Sequence, residues 1–410
     1  MTFETLNAAR VEAVWDALAR HVQPAGHHEA PVRDALGHVL AEDAFSAHDF
    51  PPFDRAMMDG YAVRAGDFSD GAATLRRLDL VRAGAERLPR VEPGTCAQIN
   101  TGAPIPPGAD AVVMVEHSRE VDDGGVELSD APQPGQHIDS QGAHVRRGDR
   151  LVRAATRIGP GTLAALVAGG VVRVRVHDRP RVAILGTGDE LVAGGEALRP
   201  GQIHDSNSVG LAQLVSAAGA DPVRIGRCVD ERGEQLEALR RGIDSDLLCV
   251  TGGMSKGSHD LVPALLEELG VQWLVTSLHM KPGKPLRIGR APNGCWAVGL
   301  PGNPVSCMVC FLLFARCILD GLQGLAVGKP PHLNGRLEAD LPACGGRPMY
   351  QPATWSVGAD GCPYVSPVAW RGSGDPFGMA VANALIHRPQ RAPAAFRGES
   401  VPFVPLDLPR

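Results

Sequence analysis

The chain has 410 residues, 44% of them hydrophobic, with 40 Lys and Arg against 46 Asp and Glu and a formal net charge of -6. That length is too great for one ordinary domain, and the hydrophobic share is enough to build packed cores. The acidic balance argues against a general nucleic-acid or membrane-surface role, either of which needs a basic excess.

From the N-terminus, Val11, Val14, Trp15 and Leu18 share one helical face, and Val32, Leu36, Val39 and Leu40 share another, so two amphipathic helices are expected to open the chain. Glu4, Glu12 and Asp16 interrupt any charged-then-apolar leader pattern, and a cytoplasmic location is expected. In "HDFPPFDRAMMDGYAV", Pro51-Pro52 ends regular structure, and the Asp54 and Asp59 carboxylates follow. Asp59 directly precedes Gly60, which is compatible with an ordinary turn. From about Ala72 to Ser140 the pieces are short and β-like. "ADAVVMVE" and "GGVELS" flank Asp122-Asp123-Gly124-Gly125, a hairpin signal, and Asn100-Thr101-Gly102 sits in a loop before a strand. "TLAALVAGG" predicts a short helix stopped by glycines, "VVRVRV" a half-buried strand, and "HDRPR" a linker.

A regular α/β alternation then begins. Strand "RVAILG" runs into "TGDEL". A helix is expected from about Val209 to Ala218, capped by Asn207 or Ser208, and strand "PVRIGRCV" ends at Asp230, which could cap the next helix. Leu247 to Val250 reads as a fully buried parallel strand that breaks into "TGGMSKGS" before another helix. That is where open α/β sheets hold ligands, with glycines letting backbone amides approach an anion. In "CWAVGLPGNPVSCMVCFLL", Asn303 is a natural N-cap and Pro304 a natural first helical residue. The apolar run that follows contains Arg316 and reads as a buried helix, since it is too short to span a bilayer. Past Lys329-Pro330-Pro331 the chain turns Pro/Gly-rich and strand-like. The nine cysteines are scattered, and the lone Cys307-x-x-Cys310 reads as buried small hydrophobes.

These strand ends place Glu190, Asp230, Asp260 and Asn303 on one rim of one sheet. Three carboxylates, with Asp59 as a candidate fourth, suit a hard divalent cation such as Mg²⁺. Asp230 and Asp260 alone are each explained as helix-start residues, so only the co-location argues for a metal. Lys281-Pro282-Gly283-Lys284 favours a type II turn, and two lysines held that close repel unless an anion bridges them. No Gly-x-Ser-x-Gly elbow or other acyl-transfer nucleophile is present. The residues alone therefore predict binding of a phosphorylated ligand and an oxyanion with Mg²⁺.

"PPFDRAMMDGYAV", "NTGAPIPPGADAVV", "GTGDEL", "DSNS", "TGGMSKGSHD", "MKPGKPL", "GLPGNPVS" and "RGSGDPFGMAVANALI" occur in the order seen in molybdopterin molybdenumtransferases, and the chain resembles a bacterial member of that family over about Val11 to Pro389. It is similar also to the C-terminal part of gephyrin. The resemblance implies an α/β multidomain fold. A three-layer α/β/α molybdopterin-binding domain with a mostly parallel sheet would span 179–326. A helical/linker domain would span 1–46 and 145–178, with an inserted β-rich domain at 47–144 and a C-terminal β-rich domain at 327–410. It further implies a homodimer with the site at the subunit interface. That site would insert molybdenum from molybdate into adenylylated molybdopterin with Mg²⁺ and release AMP. A molybdopterin adenylyltransferase and molybdoenzyme chaperones would be its partners.

Carried over by motif, Asp59, Glu190, Asp230 and Asp260 would be catalytic, the last three also holding Mg²⁺. Thr101, Gly252, Gly253, Ser255, Asp205 and Asn207 would bind the pterin phosphate or nucleotide. Lys281, Lys284, Pro301, Pro304, Ser306, Arg347 and Ser373 would surround molybdate. The chain departs from the family at "HIDSQGAH", where Asp139 and Ser140 stand for two arginines and Ala143 and His144 for an acidic pair. It also has Gln351 in place of a common arginine and Ala56 in place of a usual serine. Two alternatives accompany this reading: molybdopterin adenylyl transfer, and a non-catalytic pterin-binding scaffold.

Overall fold

A computed structural model describes residues 3–69, 71–121, 124–254 and 261–407. Contacts divide the chain into two units, one of Met1–His28, Gly37–Ala41 and Val176–Arg410, the other of Glu29–Leu36 and Glu42–Arg175.

The first unit is built on a six-stranded sheet. Its strands are β1 (Arg181–Thr187), β2 (Asp221–Cys228), β3 (Leu247–Thr251), β4 (Gln272–Val275), β5 (Arg287–Arg290) and β6 (Trp296–Leu300), in the spatial order β2-β1-β3-β6-β5-β4. β2, β1, β3 and β6 are parallel, and β5 and β4 continue the sheet antiparallel. Because side chains alternate across a strand, β1 and β3 each feed two cores. Val182, Ile184, Leu247 and Cys249 face α1 (Val11–His21), α2 (Ser206–Ala217) and α5 (Pro304–Leu322). Ala183, Leu185, Leu248 and Val250 face α3 (Arg232–Gly242) and α4 (Val262–Glu268). This is the expected three-layer α/β/α arrangement. All five residues of β3 are buried, as its unbroken apolar run predicts.

α5 is the one described helix long and apolar enough to cross a membrane, and 78% of its most apolar stretch is buried inside the protein. Its middle, Phe311–Ala315, is wound as a π-helix, and the Leu313 carbonyl there accepts the Trp15 indole N–H at 2.8 Å. Cys307 and Cys310 lie in its first turns with no exposure. Burial pushes the Cys307 thiol up to about 12, so both are inert core groups, as the lone Cys-x-x-Cys suggested.

After α5 the chain closes a five-stranded barrel from β7 (Leu333–Leu337), β8 (Met349–Val357), β9 (Pro363–Pro367), β10 (Ala384–Arg388) and β11 (Ser400–Pro405), in the order β7-β9-β8-β10-β11. Where the barrel meets α1 and α5, Tyr350 stacks on His387 with centroids 4.6 Å apart and planes 11° apart. His332 stands edge-on to both rings.

The second unit is a six-stranded sheet in the order Ala111–Met114, Gly60–Val63, Thr95–Ile99, Ala73–Val81, Gly125–Leu128 and Ser118–Val121. It has apolar cores on both faces, with Ala62 and Ala97 on one and Tyr61 and Cys96 on the other. Three expectations are corrected within the chain's first part. No second amphipathic helix forms, because Pro31 and Gly37 leave room only for a 3-10 turn at Val32–Asp34, and Leu36 is exposed. The hairpin pairs Gly125–Leu128 with Ser118–Val121, while Ala111–Met114 pairs instead with Gly60–Val63. Asp59-Gly60 is not a free turn, since Gly60 opens a central strand bonded to both Ile99 and Met114.

Burial, reinforced by Coulombic repulsion from the neighbouring His332 and Lys329, lowers the His387 pKa from 6.5 to about 4. The native state keeps this imidazole neutral while the unfolded chain protonates it, so stability present above pH 6.5 is lost as pH falls toward about 4. His387→Phe keeps a stacking ring and removes the titration. Urea midpoints measured between pH 7 and 5 are expected to fall less steeply for this variant than for the parent chain.

Candidate active site

The carboxyl ends of β1, β3 and β6 form the floor of a cleft of about 1170 Å³ in the first unit. Thr251 ends β3, and Gly252 and Gly253 turn the chain away with φ of +91° and +61°. A Cβ on Gly252 would lie 2.4 Å from the Thr187 carbonyl oxygen, so only glycine lets these strand ends approach. Asn207 locks the floor from the first turn of α2, its Nδ2 donating to Thr251 Oγ1 at 2.8 Å and to the Gly302 carbonyl at 2.7 Å. Its Oδ1 is buried with no partner among the described residues. The cap of α2 is Asp205, which accepts the Ser208 N–H at 3.0 Å. The helix therefore starts at Ser206 rather than Val209, and Asn207 is released from the capping role expected of it.

The same displacement occurs at α3. Glu231 caps it, accepting the Glu234 N–H at 2.9 Å, where Asp230 was expected. Asp230 instead lines the cleft, as Glu190 does, its Oδ1 accepting from Gln235 Nε2 at 2.9 Å and its amide donating to Asp189 Oδ1 at 2.9 Å. Both acids follow β1 and β2, on one side of the β3–β6 floor.

Lys281 and Lys284 lie on the loop between β4 and β5, on the other side of that floor. The Lys281–Pro282 peptide is cis, and the turn bond in this loop is made further along the chain than expected, by the Leu286 N–H donating to the Gly283 carbonyl at 3.1 Å. The Leu278 N–H closes it on the Lys284 carbonyl at 2.9 Å. Gly283 has a φ of +111°, and a Cβ there would lie 2.5 Å from Cys310 Sγ, so the loop packs on α5 only as glycine. Pro282 and Gly283 are buried and both lysines exposed, which turns the charges outward while the loop stays anchored. The barrel completes the anchor, with Lys281 N–H donating to the Pro348 carbonyl and Tyr350 N–H to the Lys281 carbonyl, both at 2.9 Å. Arg347 also lines the cleft and donates from Nη1 to the Met280 carbonyl at 3.1 Å.

Ser306, 5% exposed, lines the cleft from the first turn of α5, beside Pro301 and Pro304. Asn303 and Pro304 open that helix as the sequence predicts. Ser373 is fastened there from the barrel. Its carbonyl accepts the Val305 N–H at 3.0 Å, and its Oγ accepts from Asn303 Nδ2 at 3.0 Å.

The structure thus brings Glu190, Asp230, Asp205, Asn207, Gly252, Gly253, Lys281, Lys284, Pro301, Pro304, Ser306, Arg347 and Ser373 to one cleft. Asp59 and Thr101 belong to the second unit, where Asp59 Oδ1 accepts the Thr101 N–H at 2.7 Å. Ser255 and Asp260 lie outside the described residues. Among the described residues no group of three or more His, Cys, Asp or Glu could hold a metal ion. Reasoning from sequence missed Trp370, which also lines the cleft. A tryptophan three residues before the motif serine Ser373 was the available signal.

Residues 9–170 match the MoeA N-terminal region (domain I and II), 183–321 a probable molybdopterin binding domain, and 334–406 the MoeA C-terminal region (domain IV). The molybdopterin molybdenumtransferase of Haemophilus influenzae is 32% identical over 92% of this chain and 93% of its own. That of a Nostoc species is 37% identical over 77% of this chain and 74% of its own. A solved molybdopterin biosynthesis MoeA protein from Pyrococcus horikoshii is similar in structure, with a TM-score of 0.82 and 30% identity, covering 98% of this chain and all of that one. The chain belongs to the molybdopterin molybdenumtransferase family.

One of its departures from other molybdopterin molybdenumtransferases has a local explanation. Asp139 is not an isolated acid, because Arg55 Nε and Nη2 both donate to its Oδ2 at 3.0 and 2.8 Å, and His144 Nε2 lies 3.2 Å from Oδ1. Arg55, from outside the altered segment, compensates the Asp139 charge, and the Asp139 side chain is only 12% exposed.

The floor geometry makes a direct prediction. Gly252→Ala forces a Cβ into a carbonyl at a φ that L residues rarely adopt, and should lower stability by about 1–3 kcal/mol. Urea denaturation measures this, and an unchanged midpoint would show that the strand ends do not meet as closely as described.

Proposed function

We propose that the chain inserts molybdenum from molybdate into the dithiolene of adenylylated molybdopterin, with Mg²⁺, and releases AMP. The observation that carries this reading is a single cleft with Lys281, Lys284 and Arg347 on one side of its floor and Glu190 and Asp230 on the other. Cations held together on a fixed loop repel one another, and a tetrahedral dianion such as molybdate relieves that repulsion. Ser306 and Ser373 supply hydroxyl donors at the same end. The two acids suit Mg²⁺, which takes one or two carboxylates and fills its shell with water and phosphate oxygens, and would supply charge neutralisation on the phosphoanhydride. Asp260 is read in the same role. Gln235 orients Asp230 for it.

Asn207, Gly252, Gly253 and Asp205 are read as the pterin-phosphate and nucleotide floor; Ser255, Thr101 and Asp59 are read as substrate residues from their motifs alone. The functional form is read as a cytoplasmic homodimer with the site at the subunit interface, served by a molybdopterin adenylyltransferase and molybdoenzyme chaperones.

Replacing Lys281 and Lys284 by alanine removes charge-assisted contacts worth about 1.5–3 kcal/mol each. The molybdate concentration giving half-maximal AMP release should therefore rise at least about tenfold per lysine. An unchanged molybdate requirement contradicts the anion assignment. ATP is not consumed on this reading, whereas ATP consumption in the presence of molybdopterin would favour adenylyl transfer instead.

A further inference from the structure

The wall of the cleft formed by residues 370–376 carries a feature that the metal and oxyanion groups do not use. Trp370 is the one Trp, Tyr or Phe side chain among the described lining residues, and the rest of the lining is largely Gly, Pro and polar groups. Its position is firmly set. The indole packs partly buried against the core shared by α5 and the barrel, and buried Gly378 sits so close that a Cβ there would lie 2.9 Å from the Trp370 Cβ. On the following turn Asp375 ties the chain down, accepting the Arg371 N–H at 3.0 Å and the Phe377 N–H at 3.1 Å. Trp15, Trp273 and Trp355 spend their indole N–H on protein acceptors. Trp370 has no such partner among the described residues.

A rigid aromatic plane with an unspent donor, lining a cleft of about 1170 Å³, is far more than an oxyanion needs. The ligand chemistry that matches it is a planar, nitrogen-rich ring, which stacks on the π-face and can accept from the indole edge. We propose that Trp370 is a stacking platform for a fused heteroaromatic ring of the bound ligand, and that it gives the cleft its preference for purine- or pterin-type bicycles. This deepens the reading given under Proposed function and rests on it for the identity of the ring, since adenylylated molybdopterin carries one bicycle of each type.

The test uses the full chain, as the parent protein and as Trp370→Phe, Trp370→Leu and Trp370→Ala, titrated calorimetrically with AMP, with ribose 5-phosphate and with unsubstituted pterin. Leucine and alanine should weaken binding of one bicycle about tenfold while phenylalanine retains most of it, as expected when base–aromatic stacking is lost. Ribose 5-phosphate, which lacks a ring, should bind all four proteins alike. A loss confined to AMP assigns the platform to adenine, and a loss confined to pterin assigns it to the pterin. Equal affinities across the variants, leucine performing as well as phenylalanine, or a parent protein that binds neither bicycle would each overturn the proposal. The phenylalanine and leucine pair carries the comparison if alanine does not fold. AMP release from adenylylated molybdopterin by the parent protein is scored separately. Its absence with ring binding intact would sink the functional reading and leave the platform standing.

Discussion

The parallel registry of β1, β3 and β6 is the constraint on which the rest of the first unit depends. Gly186 pairs with Thr251 and Thr251 with Leu300, so the three strands end level and their loops leave from one line. β3, buried on both faces, cannot slip by one residue without moving Leu248 and Val250 out of one core and Leu247 and Cys249 out of the other. The Thr251-Gly252-Gly253 loop is therefore held by apolar burial far from any chemistry. Asn207 then uses that fixed edge, bonding to both Thr251 and Gly302 and joining the β3 and β6 ends through one side chain.

Strand order separates the charges. The acids follow β1 and β2, while the lysines interrupt the antiparallel pair β4–β5 at the other side of the floor. Had Lys281 and Lys284 followed neighbouring parallel strands, they would have sat beside Glu190 and Asp230 and been neutralised by them. The lysine loop is buried at Pro282 and Gly283 and bridged through its backbone to the start of β8. The barrel thereby acts on the cleft twice, by anchoring the lysine backbone and by seating Ser373 on the first turn of α5. Beneath that contact the neutral His387–Tyr350 stack ties barrel stability to pH.

Much of this was legible in the residues. Leu247–Val250 announced a two-sided buried strand, and Asn303-Pro304 marked a helix start to the residue. Both signals are local, set by burial on two faces and by a proline that is tolerated only in a first helical turn. What sequence did not yield depended on competition between neighbours or on distant contacts. Asp205, two or three residues before the expected caps, and Glu231, one residue after the expected Asp230, displaced them because each reaches the amide three residues on. The Val32–Leu40 apolar spacing lost to the breakers around it. Trp370 joined the cleft only because the barrel folds its wall against α5, which no periodicity reports. The ion pair of Arg55 with Asp139 joins positions far apart in the chain, a contact that the substituted segment alone does not announce.

The most direct test of a cleft with a cationic side and an acidic side is crystallographic. Crystals soaked in tungstate, a heavy tetrahedral dianion of the same shape as molybdate, should show an anomalous peak within hydrogen-bonding reach, about 3 Å, of the Lys281 and Lys284 ammonium groups and the Ser306 hydroxyl. A peak elsewhere in the molecule with none between these groups would contradict the account.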